Sequence, residues 1–493
     1  MRTAIAPRRS PTPVNPPMLV DRSKTIRHIR ALIWLYLVLL IFEGALRKWI
    51  VPQLSNPLLI IRDPVVIAIY MLALSARVFP RNAYVIFLGV IAVLSSVASV
   101  LVLSSYFPMK ALLEVTLFGF RSNFLHLPLI FVMGAVMNEE DVKKIGWWIL
   151  VGMIPMGLIM VAQFKASPDS FINRTVGLGE AQQLTAGGGK IRPPGTFSFI
   201  SGPVFYVAVA TAFVIYGALS RSTYKLWLLV SSGTALVIAV AVSGSRGGVA
   251  SVLLVVAAVL VILVLKPKAV NQFGWVLLIV IICAFIINRL PVFKEGVGIL
   301  SERFTSSAEA GDTTIIRGMI DRTMGGLTEG IKNLDKPPLF GWGLGIGTAG
   351  GAKFLIGHGA FLLSENEWTR ILFESGPILG LAFLVWRTAL TLKLLVLSVS
   401  FLVRRSAILP ILLWASAFVG LLNGQLGQPT NLGFAVFLSG LCLAATQMKE
   451  PDAGAVALVK APEPKRMPRR SEYASRLHGP AASTDQTNGF ADR

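Results

Sequence analysis

Cysteine, histidine and acidic side chains are all scarce in this chain, and each shortage excludes something. The two cysteines, Cys283 and Cys442, both lie inside apolar runs, which excludes a disulfide framework and a thiolate metal site. Of the four histidines, His28 and His478 stand toward the two ends, and no close histidine–carboxylate spacing occurs, so no metal site and no cofactor are implied. Charged residues make up 14% of the 493, against about 25% in soluble domains. That deficit excludes a string of soluble domains. Asp and Glu number 25 against 46 Lys and Arg, for a net charge of +21. In a soluble protein such an excess would point to nucleic acid. Here the cations stand mostly at the ends of apolar segments and read as cytoplasmic anchors and interfacial side chains, so no nucleic acid partner is expected.

Apolar sequence is what the chain has in abundance: 54% of residues are hydrophobic and the mean hydropathy is +0.68. Runs able to cross a hydrocarbon core of about 30 Å recur about a dozen times. They fall at 30–49, 58–77, 83–105, 122–138, 145–164, 200–219, 225–243, 247–265, 273–290, 368–398, 406–424 and 429–447. A spanning backbone has to satisfy its hydrogen bonds internally, so these runs predict helices. The expected fold class is an all-α polytopic membrane protein of about 12 transmembrane helices. The fourth run is short and holds His126; the tenth is long enough for a tilted helix or a broken pair.

Between these runs the polar segments define an expected organisation. Residues 1–29 form a basic, Pro-rich cytoplasmic arm, and 30–290 hold the first nine spans. Residues 291–367 form a large extracytoplasmic loop, 368–447 the last three spans, and 448–493 a cytoplasmic tail, both ends being disordered. The first run ends in Glu43-Gly44-Ala45-Leu46-Arg47-Lys48 without a small-residue cleavage site and reads as a retained signal-anchor helix. With the N-terminus inside, the five connections 77–81, 138–144, 221–225, 266–268 and 404–405 are cytoplasmic and all carry basic residues.

The opposite face then receives the segments rich in candidate groups. Ser243-Gly244-Ser245-Arg246-Gly247-Gly248 makes a tight turn between two spans. An Arg there is either an interfacial anchor or a planar fork for phosphate oxygens, and its glycines permit close approach of a ligand. From Gly311 to Leu334, apolar residues recur at helical spacing, predicting an amphipathic helix on the outer membrane face. Arg317 and Arg322 on it would meet lipid phosphate or substrate phosphate. The run Phe340-Gly341-Trp342-Gly343-Leu344-Gly345-Ile346-Gly347 is not a P-loop, since no Gly-Lys-Ser/Thr follows. It reads as a flexible or tightly turned loop through which a chain-like ligand could pass.

Proton-transfer candidates follow. In Glu365-Asn366-Glu367-Trp368, with Arg370 and Glu374 beyond, the helical spacing of Glu367, Arg370 and Glu374 predicts ion pairing. A carboxylate in this segment could equally act as general base toward a sugar hydroxyl. His358 is the rival base, imidazole being the side chain suited to proton transfer near neutral pH. For Glu365 and His358 alike, a structural role stands beside the catalytic one.

Taken in order, Arg192-Pro193-Pro194-Gly195-Thr196-Phe197, Ser245-Arg246-Gly247, Arg317, Phe340 to Gly345, and Asn366 with Glu374-Ser375-Gly376-Pro377-Ile378-Leu379-Gly380 resemble the bacterial O-antigen ligase/polymerase superfamily over roughly residues 160–390. The resemblance implies a GT-C type inner-membrane glycosyltransferase of the cell envelope that uses undecaprenyl-diphosphate-linked glycans on the extracytoplasmic side, without metal or nucleotide. It implies Arg246 and Arg317 as ligands of the diphosphate, and Arg192 matches the basic residue before the Gly-Thr-Phe turn; Arg322, on the loop helix, is a further candidate for the diphosphate from its place in the sequence. Where the family has His-Asn, this chain has Glu365-Asn366, so Glu365 or His358 would be the base. Polymerisation is favoured over ligation onto a lipid or protein acceptor for the same reason. A transporter is the rival class, disfavoured because the candidate groups gather at one face and no internal repeat occurs. A non-catalytic scaffold in a polysaccharide assembly complex is another.

Overall fold

Long apolar helices dominate the architecture of the computed structural model, which describes residues 22–176, 184–220, 223–266, 281–283, 285, 289–309, 325 and 328–447. In chain order they are α1 (Arg22–Ala45), α2 (Arg62–Ser75), α3 (Ala83–Leu103), α4 (Met109–Phe120), α5 (Leu129–Val136), α6 (Glu139–Lys165), α7 (Ser201–Leu219) and α8 (Leu226–Val242). Then come α9 (Arg246–Leu265), α10 (Pro291–Glu309), α11 (Ala349–Ile356), α12 (Glu367–Arg405), α13 (Leu409–Asn423) and α14 (Pro429–Ala445). Among the described residues the strands are β1 (Thr185–Gly187) and β2 (Lys190–Ile191), an antiparallel pair.

Among the described residues, eight helical segments are long and apolar enough to cross a membrane, which marks the chain as a membrane protein. Three further apolar helices, α8, α13 and α14, have 17, 15 and 17 residues. At 1.5 Å per residue they reach about 23–26 Å, short of a core of about 30 Å. The expected ninth span, 273–290, falls mostly outside the described residues, as do the N-terminal arm up to residue 21 and the tail from residue 448.

Two expectations are refined by local chemistry. The fourth run extends back to Met109, because α4 and α5 are joined through a π-turn, Arg121–Leu125, into one 28-residue segment. Lys110 and Glu114 lie within this extension. Helix α12 is a broken pair: Gly376 (φ 76°, ψ 172°) interrupts it, and Pro377 has no N–H to continue the ladder. Gly376 is required there, since a Cβ would collide with the Leu339 carbonyl.

Capping sets several helix starts. Asn138 Oδ1 accepts from the Asp141 amide at 2.9 Å, and Asp141 Oδ2 accepts from the Asn138 amide at 3.1 Å, a reciprocal cap for α6. Ser245 caps α9 through the Gly248 amide at 3.2 Å.

The interior departs most from expectation in its charges. Arg47, Lys48, Arg62, Arg121 and Arg387 are buried, where the sequence suggests interfacial anchors, and so is Arg370. They persist in an apolar bundle because each finds acceptors. Arg62 lies 3.3 Å from the Glu43 carboxylate and donates to the Pro429 carbonyl at 2.5 Å. Arg121 donates to Asp63 at 2.5 Å, and His126 Nε2 lies 2.9 Å from the other Asp63 oxygen.

These contacts also define the two ends of the bundle. One end joins Arg30 to the Val136 carbonyl and to Asp141, and Tyr224 to the Lys143 carbonyl. The other end joins Lys48 to the Gly195 carbonyl, Arg62 to Pro429, and the Leu344 amide to Ser99. Among the described residues, the candidates Arg192, Arg246, His358 and Glu365 belong to this second end.

Candidate functional site

A small hairpin organises the cations. Strands β1 and β2 turn through Gly188-Gly189, and the Arg192 amide closes the hairpin on the Leu184 carbonyl at 2.8 Å. Arg192 Nε then donates back to the Thr185 carbonyl oxygen at 3.1 Å. From the other side Arg303 Nη1, on α10, donates to that same oxygen at 3.2 Å. Two guanidinium groups from distant stretches of chain therefore converge on one backbone acceptor.

The turn before α9 completes the cluster. Gly244 faces Ala186 and the Arg192 side chain: a Cβ placed on it would lie 3.0 Å from the Ala186 Cβ and 3.8 Å from Arg192 Cγ. Arg246, two residues on, opens α9 and is half-buried, as are Arg192 and Arg303. Helix α10 packs across the end of α8, with Gly296 against Ala241 and Val242. Lys190 adds a fourth cation, 3.3 Å from Glu295 and over the Phe164 ring. Half-buried guanidinium groups are poised for an oxyanion, since the planar fork matches phosphate oxygens and the partial burial strengthens the interaction.

Of the residues expected from the sequence, Arg192 and Arg246 are thus brought into one neighbourhood. Arg317 and Arg322 lie outside the described residues, together with most of the amphipathic segment 311–334. Arg303 is visible in the sequence as one of the cations of the polar segment 291–367, but not as a partner of Arg192. Its signal was there, in a helix-length stretch of alternating polar and apolar residues starting at Pro291, but nothing local ties it to a hairpin more than a hundred residues earlier.

The base candidates are placed differently. Glu365 and His358 are both exposed, on the segment between α11 and α12. The Glu365 carbonyl accepts from Gln425 Nε2 at 2.7 Å, which ties its backbone to the α13–α14 turn. No contact among the described residues links either side chain to the arginines. Asn366 acts as the cap of α12, its Oδ1 accepting from the Trp368 amide at 3.1 Å.

The other acidic residues of that motif are consumed by structure. Arg370 donates to Glu367 at 2.9 and 3.0 Å and to Glu374 at 2.6 Å, which is the pairing their spacing predicts. Arg387 joins Glu367 at 3.0 Å, and Asn123 bridges Arg370 and Glu374. Two carboxylates and two guanidiniums make a buried set without net charge. Glu374 also fixes the Gly-rich loop, since its Oε1 accepts from the Gly347 amide at 2.9 Å. The Trp342 and Gly343 amides bond to the Phe373 and Glu374 carbonyls at 2.8 and 3.1 Å. The loop is accordingly a tight turn fastened into the bundle, buried from Gly341 to Gly347 apart from Trp342, and not a flexible passage for a ligand. Its glycines let backbone approach backbone.

The chain matches no family model, and a comparison with curated proteins finds no match either.

Proposed function

We propose that this protein is a membrane glycosyltransferase that extends or transfers an envelope glycan carried on undecaprenyl diphosphate, polymerisation being the favoured reaction. The observation that supports it is the meeting of Arg192 and Arg303 at the Thr185 carbonyl, beside the Ser-Gly-Ser-Arg turn, at one end of a bundle of apolar helices. A prenyl chain needs the apolar bundle and its diphosphate needs cations at the bundle's edge; both requirements are met in one place.

In this reading an acceptor hydroxyl attacks the anomeric carbon of the lipid-linked sugar. The new C–O bond forms as the bond to the diphosphate breaks, and the bonding pair leaves with the diphosphate. The hydroxyl proton passes to Glu365 or His358. Arg192, Arg246 and Arg303 hold the growing negative charge, a preorganised contribution of about 3 kcal/mol per donor. Arg317 and Arg322 extend the same role along the loop, the acceptor is a second glycan or a lipid, and the site faces away from the cytoplasm of a bacterial inner membrane.

The test is purified protein incubated with an undecaprenyl-diphosphate-linked repeat unit. A lengthened glycan still on the prenyl diphosphate identifies a polymerase, and transfer onto a lipid A core or a protein identifies a ligase. Envelope polysaccharide of normal length and yield in cells carrying Arg246→Ala would overturn the proposal.

A further inference from the structure

Lys48 is a buried amine that meets no opposite charge. It is 2% exposed, and among the described residues it meets no carboxylate; its acceptor is the Gly195 carbonyl oxygen at 2.7 Å, with the Trp49 ring 4.6 Å away. A buried amine with a single hydrogen-bond acceptor is costly, and an apolar side chain of similar size would suit the bundle better on stability alone. The same Gly195 backbone is held by a second buried side chain. Gln163, 0% exposed, accepts from the Gly195 amide at 2.8 Å through Oε1 and donates Nε2 to the Gly195 carbonyl at 3.2 Å. Three hydrogen bonds, from the π-turn Leu46–Ile50 that follows α1 and from α6, therefore converge on the backbone of one residue.

The position gripped is a strained one with a short, stiff connection to the site. Gly195 has φ +60°, a region that L side chains rarely adopt, and it packs over Met156. Between it and Arg192 stand Pro193 and Pro194, whose ring-locked φ angles leave little slack. On its other side Thr196 Oγ1 donates to the Ile41 carbonyl at 2.7 Å, and Arg47 donates to Ser198 at 3.2 Å. A displacement of the Gly195 backbone is thus passed on to Arg192 and to the hairpin whose carbonyl Arg192 shares with Arg303.

We propose that Lys48 and Gln163 are positioning residues: by clamping the Gly195 backbone they set where Arg192 presents its guanidinium to a phosphate. This rests on the reading of Arg192 as a phosphate ligand. The clamp also accounts for a buried amine that packing alone would disfavour.

Two measurements on the purified full-length protein in detergent test it. Hydrogen exchange in Lys48→Met should quicken at the Arg192 and Phe197 amides by about tenfold while the amides of α1 and α6 keep their protection, the loss of one buried hydrogen bond being enough for that change. Titration with undecaprenyl diphosphate should show about tenfold weaker binding for Lys48→Met in the wild-type background and no further weakening in the Arg192→Ala background. Gln163→Leu should behave in the same way and stands in if Lys48→Met does not accumulate; Lys48→Arg, which keeps a donor for the carbonyl, should recover part of the loss. Unchanged exchange at residues 192–197, or effects of Lys48→Met and Arg192→Ala that simply add, would overturn the clamp. Wild-type binding by Arg192→Ala alone would instead overturn the phosphate reading, and the exchange experiment would still decide the clamp.

Discussion

Arg387 donates Nη1 to Glu367 at 3.0 Å across the break in α12, twenty residues along the chain. The two halves of the helix are stitched by this pair, with Arg370 on the same carboxylate and the Leu421 and Gly424 carbonyls on the remaining Arg387 donors. Removing one partner leaves a buried charge uncompensated. Arg387→Met should destabilise the folded protein by about 3–5 kcal/mol. The check is thermal unfolding of purified protein in detergent, and an unchanged midpoint would show that the pair is dispensable.

Arg303→Ala should weaken binding of undecaprenyl diphosphate by about tenfold or more, the range expected for losing one hydrogen bond to a charged group. Arg192→Lys should weaken it too, because an ammonium replaces the planar fork. Isothermal titration with the prenyl diphosphate reads both; wild-type affinity in Arg303→Ala would remove it from the site.

Glu365→Gln should lower turnover by about 100-fold or more with little change in donor affinity, as expected for loss of a general base. His358→Ala should stay near wild type. The preference for Glu365 follows from its backbone, which is tied to Gln425 and stands just ahead of the Asn366 cap, while His358 follows Gly357 at the end of α11. Steady-state kinetics with a lipid-linked repeat unit decide between them, and the reverse pattern would assign the role to His358.

Gly376→Ala should cost about 1–3 kcal/mol, through forced positive φ and collision with the Leu339 carbonyl. Limited proteolysis should then cut between residues 338 and 348 earlier than in the wild type. Unaltered cleavage would mean that the loop docks without the break.

How far the sequence could be read depends on the range of each interaction. Arg246 was legible because its neighbours Gly244 and Ser245 announce a turn and a helix cap within three residues. The Glu367–Arg370–Glu374 pairing was legible because helical spacing alone brings those side chains together. The meeting of Arg303 with Arg192 was not, since its partner is the Thr185 carbonyl, a backbone atom that no side-chain pattern marks. The burial of Arg62 and Arg387 was equally invisible: a cation in or beside an apolar run looks the same whether it snorkels to the surface or meets a carboxylate inside. The Gly-rich run was legible as a tight turn but not in what it meets, because glycine permits close approach without saying whether a ligand or the protein itself does the approaching.

The fastening of that run leaves Trp342 turned outward between anchored peptides. Residues 341 and 343–347 are covered, their peptide groups engaged with Pro338, Glu374, Ser99 and their neighbours, while Trp342 is 42% exposed. Because its own amide and those of its neighbours do the anchoring, the identity of residue 342 can change over evolution without loosening the scaffold. That makes it a place where related chains can diversify cheaply.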